Sequence, residues 1–162
     1  MNKSFLLLSI FLIFNACKKD DDQLPYVSSN NPIVEEELTH SSIFIEVDGF
    51  ENLDGYLAIA IYNSEAQFDA ETESYRDTII SGLSDNMSIM IDSIIPGIYA
   101  VSIFHDENQD GQLNVGVFNI PTEGFGFSNN PTIVFSKPTF NACKFIIEES
   151  QEIIIPITLK HL

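Results

Sequence analysis

Ser42-Ile43-Phe44-Ile45-Glu46-Val47-Asp48 places a branched aliphatic residue at every second position, the period of a β-strand with one buried face. The alternation returns at Leu57, Ile59 and Ile61 against Tyr56, Ala58, Ala60 and Tyr62, and at Met87, Ile89 and Ile91 against Ser88, Met90 and Asp92. It returns again at Ile153, Ile155, Ile157 and Leu159 against Ile154, Pro156, Thr158 and Lys160. Pro156 has no N–H to give a ladder, so that strand belongs at an edge or beside a bulge. Residues 98–105 and 143–147 are apolar at nearly every position and read as strands buried on both faces. Asp54-Gly55, Pro96-Gly97 and Asp110-Gly111 supply turns between them. Ser64 and Gln67 have capping-box spacing, which predicts one helical turn over Glu65–Ala70. The expected fold is all-β: an antiparallel two-sheet sandwich of about seven strands, immunoglobulin-like or transthyretin-like, over residues 41–162.

The 162 residues are 44% hydrophobic, enough for one such core. Asp and Glu number 24 against 7 Lys and Arg, a net charge of −17. Such a surface is repelled by phosphate backbones, so nucleic acid is not an expected partner. Anionic headgroups repel it too, and any attachment to a membrane has to come from a lipid rather than a basic face. The acid excess suits cations, and it also keeps an exported protein soluble.

Met1-Asn2-Lys3 and the apolar run 5–14, followed by Asn15-Ala16-Cys17, have the layout of a secretory signal over residues 1–16. The run is too short to cross a bilayer, which takes about 20 residues. Asn15-Ala16-Cys17 resembles a lipobox, in which the Cys after a small residue is acylated and becomes the new N-terminus; Phe14 stands where an aliphatic residue is usual. Residues 17–40 are rich in Asp, Glu, Ser, Asn and Pro and read as an acidic flexible tether with a reach of about 25 Å. Lys18-Lys19-Asp20-Asp21-Asp22 resembles the charged export signal of surface-displayed bacterial lipoproteins, and equally suits an ordinary solvated cluster. The expected address is the cell envelope, at the outer membrane or cell surface, with the membrane as partner through lipid on Cys17. Cys143 is then left without an intramolecular mate, on the same strand face as Phe145 and Ile147, as a buried inert thiol. The competing reading is a Cys17–Cys143 disulfide.

The chemistry-bearing stretch is His105-Asp106-Glu107-Asn108-Gln109-Asp110-Gly111-Gln112-Leu113-Asn114. Asp106, Asn108 and Asp110 at alternate positions, then Gly111, the Gln112 carbonyl and Asn114, reproduce the first part of a calcium loop. A hard cation wants six to eight oxygens, and alternate residues of a tightly turned loop point them inward. Val117 stands where a bidentate Glu is usual, so a carboxylate from elsewhere, such as Glu123, has to complete the shell. The same stretch also reads as an Asx-rich hairpin turn from the strand ending at His105 to one beginning near Leu113. Calcium is the one cofactor these residues suggest. No Cys/His set fits zinc and no Gly-rich loop opens a helix to hold phosphate.

His105 and Asp106, with Ser128, make an alternative hydrolase set, although Gly126-Phe127-Ser128-Asn129-Asn130 lacks the nucleophile-elbow pattern. Gly124-Phe125-Gly126-Phe127-Ser128-Asn129 is the other unusual stretch. Phe125, Phe127 and Asn129 on a loop make a candidate ligand platform, for instance for a glycan, or else plug the open end of the sandwich.

Residues 96–114 (Pro-Gly-Ile-Tyr-Ala-Val-Ser-Ile-Phe-His-Asp-Glu-Asn-Gln-Asp-Gly-Gln-Leu-Asn), Asn119-Ile120-Pro121, the 123–130 segment and Pro138-Thr139-Phe140-Asn141-Ala142 resemble the bacterial domain-of-unknown-function family 2141. The resemblance spans about residues 42–160. Asn114 stands where the family often has Asp, one charge fewer for a metal, and Asn119 where Gly is usual before Ile-Pro. Pro96-Gly97-Ile98-Tyr99 also resembles the strand entry of transthyretin-type, carboxypeptidase-regulatory-like sandwiches. The resemblance implies an exported β-sandwich and supplies no catalytic residue. The expected function is a non-enzymatic binding or accessory lipoprotein, calcium-stabilised where the loop holds a cation, with a protein or glycan as partner. The alternatives are an envelope hydrolase using His105 and Asp106, and a glycan-binding surface lipoprotein.

Overall fold

The computed structural model describes residues 40–71, 73–133 and 136–162. Cys17, the leader and the tether up to residue 39 lie outside these residues. The described chain forms strands β1 (Ser41–Asp48), β2 (Tyr56–Tyr62), β3 (Arg76–Ile80), β4 (Met87–Ile94), β5 (Gly97–Asp106), β6 (Phe125–Phe127), β7 (Phe145–Ile147) and β8 (Glu152–Thr158). Two short helices, α1 (Glu65–Ala70) and α2 (Phe140–Cys143), complete it. The fold is all-β, in two sheets.

One sheet has the order β4-β1-β8 and the other β3-β2-β5-β6, with β7 paired to the first residues of β5. The alternating aliphatic residues face each other between the sheets. Ile43, Ile45, Val47, Ile89, Ile91, Ile155 and Ile157 meet Leu57, Ile59, Ile61, Val101 and Ile103 in one buried core. Each of these side chains contributes roughly 1.5–3 kcal/mol on burial, so their sum can hold the sheets together without a disulfide.

The pairing departs from the expected antiparallel pattern at one place. β1 and β8 run parallel, in register from Ser42–Glu152 to Asp48–Thr158. The first and last strands are joined through the whole domain rather than by a hairpin, so nothing forces them antiparallel. β8 is an edge strand and Pro156 sits on it, as its missing N–H requires. The open side of β8 is partly covered by Asn130, whose amide donates to the Pro156 carbonyl at 3.0 Å and accepts the Thr158 N–H at 2.9 Å.

Eight strands form rather than about seven, and four local expectations change. β3 fills an edge that alternation did not reveal. β6 is a strand paired with β5 where a loop was expected. No strand begins near Leu113; the chain from Asp106 to Gly124 is a loop carrying a Val115–Pro121 bridge and a 3-10 turn at Val117–Asn119. Cys143 ends α2 rather than lying in a strand, because the Thr139 hydroxyl accepts the Ala142 N–H at 3.3 Å and starts a helical turn. β7 is therefore short, and Ile146 and its register partner Ile98 are exposed rather than buried on both faces.

α1 forms over the expected residues. Ser64 caps it by accepting the Gln67 N–H, while Gln67 Oε1 accepts the Asn63 N–H, both at 3.4 Å. Its buried face delivers Phe68 onto the outer face of the second sheet. There Tyr62, Phe68, Ala100, Phe125, Phe127, Phe140 and Cys143 form a second, aromatic core.

Candidate functional site

The first candidate is the acidic loop after β5. Asp106 is buried, and its two oxygens accept the N–H groups of Asp110 at 3.1 Å and Gly111 at 2.8 Å. Gly111 has φ +78°, the left-handed turn that glycine permits. Asn108 Oδ1 accepts the Asp110 N–H at 2.9 Å, and the amides of Asn108 and Asn114 donate to Asp110 Oδ2 at 3.1 and 3.0 Å. The Asn114 amide, then the Gln112 N–H, and also the Asn108 amide hold the Asp110 carboxyl below its ordinary value. The Gln112 N–H reaches Asp110 Oδ1 at 2.9 Å.

Glu123 closes the loop from outside. Buried at 5% exposure, it accepts the Glu107 N–H at 3.1 Å and the Asn114 N–H at 2.8 Å. Val117 is 76% exposed in the turn beyond. Asp106, Asn108, Asp110, Asn114 and Glu123 are thus brought together, and the loop is closed by their own hydrogen bonds. No three His, Cys, Asp or Glu side chains among the described residues are grouped to hold a metal ion. The loop also offers amide and backbone carbonyl oxygens, which calcium accepts as ligands.

The hydrolase residues are not brought together. His105 and Asp106 are successive residues of β5 and point to opposite faces of the sheet. His105 is wholly buried, opposite Leu57, with the Phe50 ring edge-on at 5.3 Å. Its Nε2 lies 2.6 Å from the Asp54 carbonyl, which only accepts, so Nε2 carries the hydrogen. Nδ1 is left without a partner, 3.9 Å from a Glu107 oxygen. Ser128 is equally buried, and its hydroxyl accepts the Val101 N–H at 2.9 Å and donates to the Cys143 carbonyl at 2.7 Å. That hydroxyl ties β5 to α2.

Phe125 and Phe127 are buried and pack into the aromatic core, while Asn129 donates to the carbonyls of Ala142 and Lys144 at 3.2 and 2.9 Å. The two rings are not an exposed platform. They form the floor of a cleft of about 510 Å³, walled by Leu113, Ile120, Pro121 and Ile133.

Sequence reasoning missed this cleft. Its rim is the 3-10 turn, where Phe118 is 90% exposed and both Phe118 (φ +63°) and Asn119 (φ +57°) adopt the left-handed conformation. Such a conformation at a bulky residue costs on the order of 1–3 kcal/mol, and strain of this kind collects at ligand sites. The available signal was the apolar run Val115, Val117, Phe118 and Ile120, exposed in a loop with no strand to bury it. Lys137 lies at the far wall. Its ammonium donates to the Phe68 carbonyl, sits 4.2 Å above the Phe68 ring and pairs with Glu71 at 2.9 Å.

Compared with known proteins, residues 45–155 match the family model described as uncharacterized protein conserved in bacteria (DUF2141). Neither a curated protein nor a solved structure matches the chain.

Proposed function

Since the chain belongs to DUF2141, we propose its role from its own geometry. The domain is a non-enzymatic binding module, held at the bacterial cell envelope by lipid on Cys17, and its ligand site is the cleft above Phe125 and Phe127. The observation that carries this reading is the strained, exposed Phe118 at the rim of an apolar space of about 510 Å³. Pockets of this size with mostly apolar walls and a few polar groups are where small ligands bind. The buried and separated His105, Asp106 and Ser128 favour binding over hydrolysis.

Two measurements test it. The neutral apolar dye N-phenyl-1-naphthylamine should bind saturably to the full chain, and Phe118→Ser should weaken it at least fivefold. An unchanged affinity in that variant sinks the cleft. Cells fed labelled palmitate should label the protein, and Cys17→Ala should abolish the label; a labelled Cys17→Ala protein sinks the anchor.

A second reading concerns the acidic loop. Glu123 reaches both ends of the loop and supplies a carboxylate that the calcium pattern lacks at Val117, and residues 106–124 contain no Lys or Arg. We propose that calcium, when present, draws together oxygens of Asp106, Asn108, Asp110 and Glu123, which the free chain does not group around one point, takes the Gln112 carbonyl as well, and stiffens this end of the sandwich. Calorimetric titration with calcium should show saturable heat that Asp110→Asn reduces. No heat and no change in melting temperature at millimolar calcium overturn this.

A further inference from the structure

Among the described residues the Lys and Arg side chains are Arg76, Lys137, Lys144 and Lys160. In so acidic a chain, one of these four, Lys137, lines the apolar cleft above Phe125 and Phe127. Its ammonium has three hydrogens. One is directed at the Phe68 carbonyl and one at Glu71, whose side chain is 66% exposed. The Phe68 ring beneath adds to the attraction for the charge. The exposed carboxylate is the replaceable partner, because a rim ion pair in water holds only weakly. A ligand carboxylate entering the cleft, which Glu71 also lines, would meet the same ammonium with its remaining hydrogen and take the place of Glu71.

Resting on the reading of the cleft as the ligand site, we infer that its ligand is an aliphatic chain ending in one carboxylate. The apolar floor and rim take the chain, and Lys137 takes the carboxylate. A cavity of about 150 Å³ holds one benzene, so about 510 Å³ sets an upper bound of roughly twenty carbons for the seated chain. A second anionic group has no cation in the lining to meet it, which excludes dianionic headgroups.

The test is calorimetric titration of the full chain with dodecanoate and with dodecanol, below their micelle or solubility limits. Any apolar leader is common to all variants, so differences between variants report the cleft. Dodecanoate should bind at one site, and about tenfold more tightly than decanoate, since two more methylenes are buried. Lys137→Gln should weaken dodecanoate at least tenfold and leave dodecanol within twofold. Glu71→Gln, an exposed change that spares the fold, should tighten dodecanoate about threefold and leave dodecanol unchanged.

The failures are separable. If dodecanol responds to Phe118→Ser but dodecanoate responds to neither Lys137→Gln nor Glu71→Gln, the carboxylate inference is overturned and the cleft stands. If neither ligand responds to Phe118→Ser, the cleft reading falls and this inference with it.

Discussion

The buried carboxylate of Glu123 accepts the Asn114 N–H at 2.8 Å, and its other oxygen takes the Glu107 N–H at 3.1 Å. One side chain thereby ties the start of the acidic loop to its end. Glu123→Ala leaves two backbone N–H groups without acceptors, a loss of about 2–4 kcal/mol. Glu123→Gln keeps one acceptor oxygen and should lose about half as much. Urea unfolding of the full chain should rank wild type above Gln above Ala. An Ala variant within about 0.5 kcal/mol of wild type would show that the strap carries no stability.

Two glycines with nearly equal φ should respond very differently to Ala. A Cβ on Gly55 (φ +77°) would lie 2.0 Å from the Asp106 carbonyl oxygen and 2.8 Å from the Glu107 Cα. Both are backbone atoms at the point where β2 meets the loop, so neither side can yield cheaply. Gly82 (φ +70°) has nothing within 4 Å of that position. Gly82→Ala should cost only the left-handed backbone term, about 1–2 kcal/mol. Gly55→Ala should cost several kcal/mol more, since overpacking adds to it. Comparable melting temperatures for the two variants would contradict the close approach.

Burial pushes the Cys143 thiol up to about 11, with the nearby Lys137 charge opposing it. The folded state therefore resists forming the thiolate. Stability from this group is complete below the unfolded value of 9.0, and is lost as pH rises from there through about 11. Cys143→Ala should flatten that alkaline loss. At pH 8 a thiol reagent should modify Cys143 in the full chain only as fast as the protein opens, and faster in urea. Rapid labelling of Cys143 in the native protein would contradict its burial.

The strands of the main core were legible because Ile43, Ile45, Val47 and their counterparts repeat a local period that burial enforces. The Ser64 cap and the edge position of Pro156 were legible for a different local reason, since each follows from one residue's own bonding. β3 was not legible, because an edge strand such as Arg76-Asp77-Thr78-Ile79-Ile80 leaves Ile79 exposed and breaks the pattern. The parallel meeting of β1 and β8 is a long-range choice with no local sign. Among the site residues, Glu123 could be named from the gap at Val117, but only the fold brings it to Asn114. The cleft depends on packing the 113–121 loop opposite Ile133 and Lys137, which lie distant in sequence.

Phe118 sets the last expectation. Its left-handed backbone and 90% exposure are both unfavourable in the free protein, so the residue is ill suited to stability and well placed for contact. Asn tolerates that conformation and has no ring to leave in water. Phe118→Asn should therefore stabilise the free chain by about 1 kcal/mol, from relief of the strained conformation. The same variant should weaken binding of the apolar dye at least fivefold. Thermal melts and dye titrations on one preparation read both effects. A variant that loses stability along with dye affinity would mean that Phe118 supports the fold, and that the strain at the rim is not held in reserve for a ligand.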